Sequence, residues 1–208
     1  MSGYTDRVRD NIIPLSQAST LREAFKEWYF TDSHRDHENA VAECQLCKQE
    51  RLRYQFEIRS SKTQHRLWVG SSCILRFGVL VYDQGQVLDS QQAEKKLTTL
   101  MNQMRQESCL NALKALAEKE KNDILSNALS FYEANGYLTP KFAFVVFWRL
   151  SVHHIDHCPS FFKINLKIKR YREQLSDMPE SRVHQFWQAL TSGQKRVAER
   201  YGHKAPKV

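Results

Sequence analysis

Glycine and proline are scarce in this chain of 208 residues, at seven and five. An all-β sandwich or barrel needs many turns, so the scarcity argues against one and for a mostly helical protein. Neither GxGxxG nor GxxxxGK followed by Ser or Thr occurs, which removes the usual nucleotide-binding enzymes. No stretch of 18 apolar residues is present, so no membrane contact is expected. The start, Met1-Ser2-Gly3-Tyr4-Thr5-Asp6, lacks the charged-then-apolar layout of a secretory signal, and a cytoplasmic location is expected. Hydrophobic residues at 41% and charged residues at 26% exclude disorder as a description of the whole chain.

What is present begins with charge. Lys and Arg number 31 against 23 Asp and Glu, a formal net charge of +8. Residues 41–80 carry seven cations against three acids, and residues 161–208 carry eleven against four. Clusters of this kind suit a polyanion, so nucleic acid, DNA or RNA, is the expected partner. A solvated basic surface is the competing reading.

Residues 1–20 are polar apart from Ile12-Ile13-Pro14 and read as an N-terminal arm or loosely docked helix. Leu21, Ala24, Phe25 and Trp28 fall at i, i+3, i+4 and i+7, a helical face over 21–30, and residues 31–39 read as a polar turn. Tyr54, Phe56 and Ile58 then alternate with Arg53, Gln55, Glu57 and Arg59, the period of a half-buried strand. After the polar residues 60–64, Arg66-Leu67-Trp68-Val69 returns as a second strand and ends at Gly70-Ser71-Ser72-Cys73. Ser71 or Ser72 is the expected N-cap of a helix with Cys73 in its first turn, Ile74 and Phe77 inward and Gly78 as its stop.

From Asp89 the pattern is helical. Leu97, Leu100, Met101 and Met104 form one stripe, with a bend expected near Ser108, and Ile124 to Tyr132 form a second that stops at Asn135-Gly136. Thr139-Pro140 opens an apolar helix expected at the centre of the second domain. A helix through Leu166, Tyr171, Leu175 and Met178 follows, although Phe162, Ile164, Leu166 and Ile168 equally fit a strand. Val183, Phe186, Trp187 and Leu190 mark another helix, and Thr191 or Ser192 caps a last one. The expected fold class is α+β. An arm over 1–20 precedes a small zinc-finger-like β-hairpin and helix module over 21–88, and a mostly α-helical domain with basic C-terminal helices spans 89–208.

The sharpest chemical signal is Cys44-Gln45-Leu46-Cys47. A C-x-x-C pair on a tight turn places two thiolates on one side of a knuckle, a bite that suits tetrahedral zinc. Antiparallel pairing of the hairpin returns the chain to Cys73, so Cys44, Cys47 and Cys73 are expected to converge as zinc ligands. Knuckle, hairpin and helix in that order outline a treble-clef finger. A complete treble clef would place its fourth ligand three residues after Cys73, where Arg76 stands. His65 belongs to the far end of the hairpin, roughly 20 Å away at ~3.3 Å per residue. His37 is therefore the expected fourth ligand, with His34 as its substitute. Three buried cysteines without metal are the alternative, and no βαβ pattern supports a thioredoxin-like redox pair. The group His153-His154-Ile155-Asp156-His157-Cys158 is dense in ligand types but reads as a helix end, and Cys109 reads as a core residue.

The run Cys44-Gln45-Leu46-Cys47, Arg53-Tyr54, then Leu67-Trp68-Val69-Gly70-Ser71-Ser72-Cys73-Ile74 with Phe77 resembles the small C-x-x-C…VGSxCI zinc-finger-like modules of uncharacterised phage, plasmid and bacterial proteins. The resemblance covers about residues 40–80 and implies a nucleic-acid-associated role. Leu138-Thr139-Pro140-Lys141 and the helical C-terminus are similar to the tails of such proteins.

Two cationic faces are expected beyond the finger. On the outer side of the hairpin Arg51, Arg53, Arg59 and Arg66 surround Trp68, guanidinium for phosphate and indole for base stacking. Lys163, Lys167 and Arg170 at i, i+4 and i+7, with Lys169 and Arg172, are expected to form a stripe along one helix. No HExxH, GxSxG or His/Asn/His nuclease set occurs, so no catalytic residue is expected. The expectation is a non-catalytic nucleic-acid-binding accessory protein with a structural zinc. A protein-interaction adaptor or inhibitor encoded by a mobile element is the alternative.

Overall fold

The computed structural model describes residues 3–207. Among them the fold is mixed α+β, with nine α-helices, one three-stranded antiparallel sheet and one two-stranded hairpin. The chain divides into two units between Met104 and Arg105.

The first unit opens with α1, Tyr4–Ile12, so of the two readings of residues 1–20 the docked helix holds and the arm does not. Its Val8 and Ile12 are fully buried, because i and i+4 positions share one helix face. A short 3-10 turn, Ile13–Leu15, leads to α2, Leu21–Glu27, whose N-cap Thr20 accepts the Glu23 N–H. The helix expected over 21–30 is shorter than its apolar spacing implies. The helix ends at Glu27 and β1, Trp28–Asp36, begins at once. The Trp28 ring is buried with its Nε1–H donated to Ser16 Oγ at 2.8 Å. The expected polar turn over 31–39 is mostly the second half of β1, disguised by a bulge between Phe30 and His34 where Asp32 has φ 64°. A bulge breaks the period-two alternation that would betray a strand.

The pairing of the hairpin is as read: β2, Tyr54–Ser60, pairs antiparallel with β3, Arg66–Val69, and β2 lies between β1 and β3. Strand β2 is not half-buried, however, since Gln55 and Glu57, expected on its polar face, are buried too. Phe56 opposes Val69 and Ile58 opposes both Leu67 and Phe30, so these five side chains form the sheet's buried face. Helix α3, Ser71–Phe77, follows with Gly70, not a serine, at its N-cap, and Gly78 ends it at φ +61°. A two-residue pair, β4 (Tyr82–Asp83) and β5 (Gln86–Val87), precedes α4, Ser90–Glu120, a single helix without an end near Ser108. The expected boundary at 88/89 falls earlier than the observed one because Ala93, Leu97 and Met104 of α4 are buried with the first core.

In the second unit the remainder of α4 supplies Cys109, Leu113 and Ala117 to a core built with α5 (Asp123–Asn135), α6 (Pro140–Val152), α7 (Lys169–Ser176), α8 (Glu180–Phe186) and α9 (Ser192–Arg200). Asn122, Thr139 and Thr191 cap α5, α6 and α9 with their side chains, satisfying otherwise orphaned N–H groups. Helix α6 is not buried all round, since Trp148 and Val152 are exposed. Phe162, Ile164 and Leu166 are buried in an extended segment that bridges Leu138 in parallel, which settles the ambiguity there in favour of strand-like backbone. No helix among the described residues is long and apolar enough to cross a membrane.

Candidate metal centre

Residues 44–49 form a tight turn in which the Cys44 N–H donates to Gln49 O and the Lys48 N–H to Cys44 O, both at 2.8 Å. Lys48 adopts φ 63°, closing the knuckle. Gln45 then pins the knuckle to the end of β3: its N–H donates to Trp68 O at 2.9 Å and its side-chain oxygen accepts the Trp68 N–H at 2.7 Å. Two residues beyond Trp68, Gly70 starts α3, and a Cβ there would meet Leu52 Cδ1 at 3.3 Å. These links carry Cys73, at the third position of α3, back onto Cys44 and Cys47.

The sulfurs of Cys44, Cys47 and Cys73 lie within 4.8 Å of one another, and all three residues are buried. All three are free thiols, with Cys44 Sγ 3.6 Å from Cys73 Sγ. Four ligands around zinc at ~2.3 Å place neighbouring sulfurs about 3.8 Å apart. The observed separation is close to that edge, so the cluster can hold a metal ion. Electrostatics point the same way. The hydrogen bond from Cys73 holds the Cys44 thiol well below its ordinary range; burial opposes this, and the N–H groups of Cys47, Gly70 and Leu46 reinforce it. Cys73 is correspondingly pushed up, first by Cys44 and then by burial. Metal ligation requires thiolates, and Cys44 is the thiol this environment favours in that form. A cavity of about 140 Å³ borders the three cysteines, lined also by Gln49, Arg51, Ser71 and Ser72.

His37 is not a ligand in this arrangement. It follows β1, where its N–H donates to Arg53 O and its Nε2 bonds Gln55 Oε1 at 2.8 Å, while Gln55 Nε2 donates to Glu43 O. Strand pairing thus directs the imidazole into a side-chain network. His34 is tied by Nδ1 to Asp32 O, and His65 sits at the far turn beside Leu15 O, as the hairpin register requires. The group at 153–158 is not a metal cluster among the described residues. His153 pairs with Glu120, and Asp156 binds Arg105.

The cationic residues are only partly where the pattern placed them. Residues opposite each other across strands share a face, so Arg59, Arg66 and Trp68 lie on the outer face of the sheet. The Arg35 guanidinium lies 3.7 Å from the Trp68 ring centroid and covers one indole face, which was expected to be open for stacking. Glu57, nearly buried, takes Arg66 at 3.4 Å. Arg53, just before β2, is held by Asp36 through Nε at 2.9 Å and Nη2 at 3.0 Å, and Arg51 borders the cysteine cavity.

The expected stripe on one helix does not form. Lys163 and Lys167 precede α7 in the extended segment, where Leu138 N–H donates to Lys163 O and Asn165 Oδ1 accepts the Lys167 N–H. Lys169 and Arg170 are on α7, and Arg172 turns back to donate to Leu166 O and Lys167 O.

Sequence reasoning missed Tyr4, whose hydroxyl lies 3.7 Å from Cys73 Sγ. The signal was available, because Tyr4, Val8 and Ile12 repeat at the i, i+4, i+8 spacing of one helix face. Compared with known proteins, the chain matches no family model, no curated protein and no solved structure.

Proposed function

We propose that this is a non-catalytic nucleic-acid-binding protein in which a zinc ion on Cys44, Cys47 and Cys73 organises a treble-clef-like module. The order knuckle, hairpin and cysteine-bearing helix supports the module, as does the resemblance to the C-x-x-C…VGSxCI modules of phage and plasmid proteins. Thiolate-rich tetrahedral sites favour zinc among abundant divalent ions. The observation that carries the binding reading lies after residue 160. Of eleven Lys and Arg there, Lys169 alone has a carboxylate within 4 Å among the described residues. Lys163, Lys167, Lys169 and Arg170 are exposed, as are Arg196, Arg200, Lys204 and Lys207. Unneutralised surface charge at this density binds phosphate by releasing counterions, with little sequence preference.

The test is binding of zinc-loaded protein to single- and double-stranded DNA and RNA across a salt series. Affinity should fall steeply with salt, and reversing Lys167 and Arg170 to Glu together should weaken binding to every sequence and reduce the salt slope by about 2. Failure of the wild type to bind any oligonucleotide at low salt overturns the reading.

One observation favours the protein-interaction alternative. Phe144 and Trp148 stack on the flank of α6 with Val152 and Ile124 exposed, and a neighbouring cavity of about 720 Å³ has Phe144, Val145 and Met178 in its lining. Lys141, Arg170, Glu173, Asp177 and Arg182 line the same cavity, so a partner held there by the exposed apolar side chains would respond to salt less steeply than a polyanion does, not fail to respond.

A further inference from the structure

We infer that the phenol oxygen of Tyr4 is the fourth ligand of the metal held by Cys44, Cys47 and Cys73; this rests on the reading that those thiols bind a metal. A structural zinc site is closed by four protein ligands. Among the described His, Cys, Asp and Glu residues three alone converge, and His37 is committed to Gln55. Tyrosine supplies an anionic oxygen comparable to a carboxylate, a donor type zinc accepts at ~2.0 Å. An oxygen at that distance, tetrahedral to sulfur at ~2.3 Å, lies about 3.5 Å from the sulfur. Tyr4 Oη is 3.7 Å from Cys73 Sγ.

The approach is held by contacts independent of any ion. Asn11, two turns further along α1, donates Nδ2–H to Leu46 O of the knuckle at 3.0 Å. The Tyr4 ring stacks on Phe77 of α3 at 5.9 Å between centroids, and Phe77 stacks on Phe25 at 4.7 Å. Val8 between these points and Ile12 just past the second are fully buried and anchor the helix. Helix α1 is therefore bound both to the knuckle and to α3, the two elements that supply the thiols, with Tyr4 at the end nearer Cys73. The Arg76 guanidinium, 4.4 Å from the Tyr4 ring centroid, offsets part of the negative charge that three thiolates and a phenolate leave around a divalent ion. On binding, a metal–oxygen bond forms, the phenol O–H bond breaks and the proton passes to water.

The full chain, reduced and stripped of metal, is titrated with cobalt(II) as the spectroscopic probe and then with zinc(II) in competition. Wild-type protein should give the intense visible bands of tetrahedral cobalt. Tyr4→Phe keeps the ring stack and removes only the oxygen; its bands should shift and its zinc affinity fall roughly ten-fold or more. His37→Ala should leave both unchanged. Zinc added to the wild type should also raise the near-ultraviolet absorbance of a metal-bound phenolate, a readout that needs no variant. Identical cobalt spectra and zinc affinities for wild type and Tyr4→Phe, or no phenolate signal in zinc-loaded wild type, overturn the assignment while leaving the three-thiol site standing. A wild type that binds neither metal overturns the site itself.

Discussion

Cys158 Sγ lies 3.1 Å from Ser160 Oγ, and that hydroxyl, helped by the Ser160 N–H, draws the thiol below its ordinary range. Cys109 is buried, and its thiol is pushed up to about 12, by desolvation first and the Asp156 charge second. The thiolate is the species that reacts, and a lowered pKa populates it at lower pH. Alkylation of the folded protein should therefore rise at Cys158 with a midpoint below the free-thiol value of ~8.5, while Cys109 stays inert to well above that pH. Peptide mapping after brief iodoacetamide treatment at neutral pH reads both sites, and equal labelling would contradict the assignment. Residue type alone does not separate these two cysteines, nor His37 from a ligand. The outcomes depend on surroundings, Ser160 beside Cys158, burial around Cys109 and Gln55 beside His37, and none of these follows from composition.

Helix α3 was legible almost in full, since Cys73, Ile74 and Gly78 each have a local physical reason to stand where they do. Gly78 holds φ +61° and nothing lies within 4 Å of the position a Cβ would take. The cost of a side chain there is conformational, not steric crowding from elsewhere. Gly78→Ala should lower stability by about 1 kcal/mol, read from the denaturant midpoint with an unchanged slope. An unaltered midpoint would mean that the left-handed turn is not required. The hairpin of β2 and β3 was equally legible, because alternation over Tyr54–Ile58 is local. Strand β1 was not. Its polar half gains its hydrogen bonds from β2 in a register broken by the Asp32 bulge, and an apolar count at helical spacing carried the helix past its end. The cationic stripe failed for a related reason: i, i+4, i+7 spacing has meaning only inside a helix, and Leu138 holds Lys163 in extended backbone.

At the scale of the molecule, the two units draw on different sources of stability. The second has a core of apolar side chains around Leu125, Val146, Leu150 and Phe186 with the single thiol of Cys109, whereas the first packs three neighbouring thiols into its interior beside Leu46 and Val69. Metal binding is coupled to folding where ligands come from separate elements. Chelation under reducing conditions, or Cys73→Ser, should strip hydrogen-exchange protection from residues 44–77 and leave α5 and α6 protected. Uniform loss, or none, would refute a folding role for the metal. What the sequence determined by itself is whatever local spacing encodes: the knuckle, the hairpin, the stop of α5 at Gly136, the caps of α6 and α9, the convergence of Cys44, Cys47 and Cys73, and the excess of positive charge. The tertiary structure alone decided that α1 docks through Val8 and Ile12, that Tyr4 meets Cys73 across 69 positions of chain, that His37 is spent on Gln55, and that Arg35 covers Trp68. Those contacts join residues far apart in the chain, and their geometry is set by how whole elements pack, which no local period records.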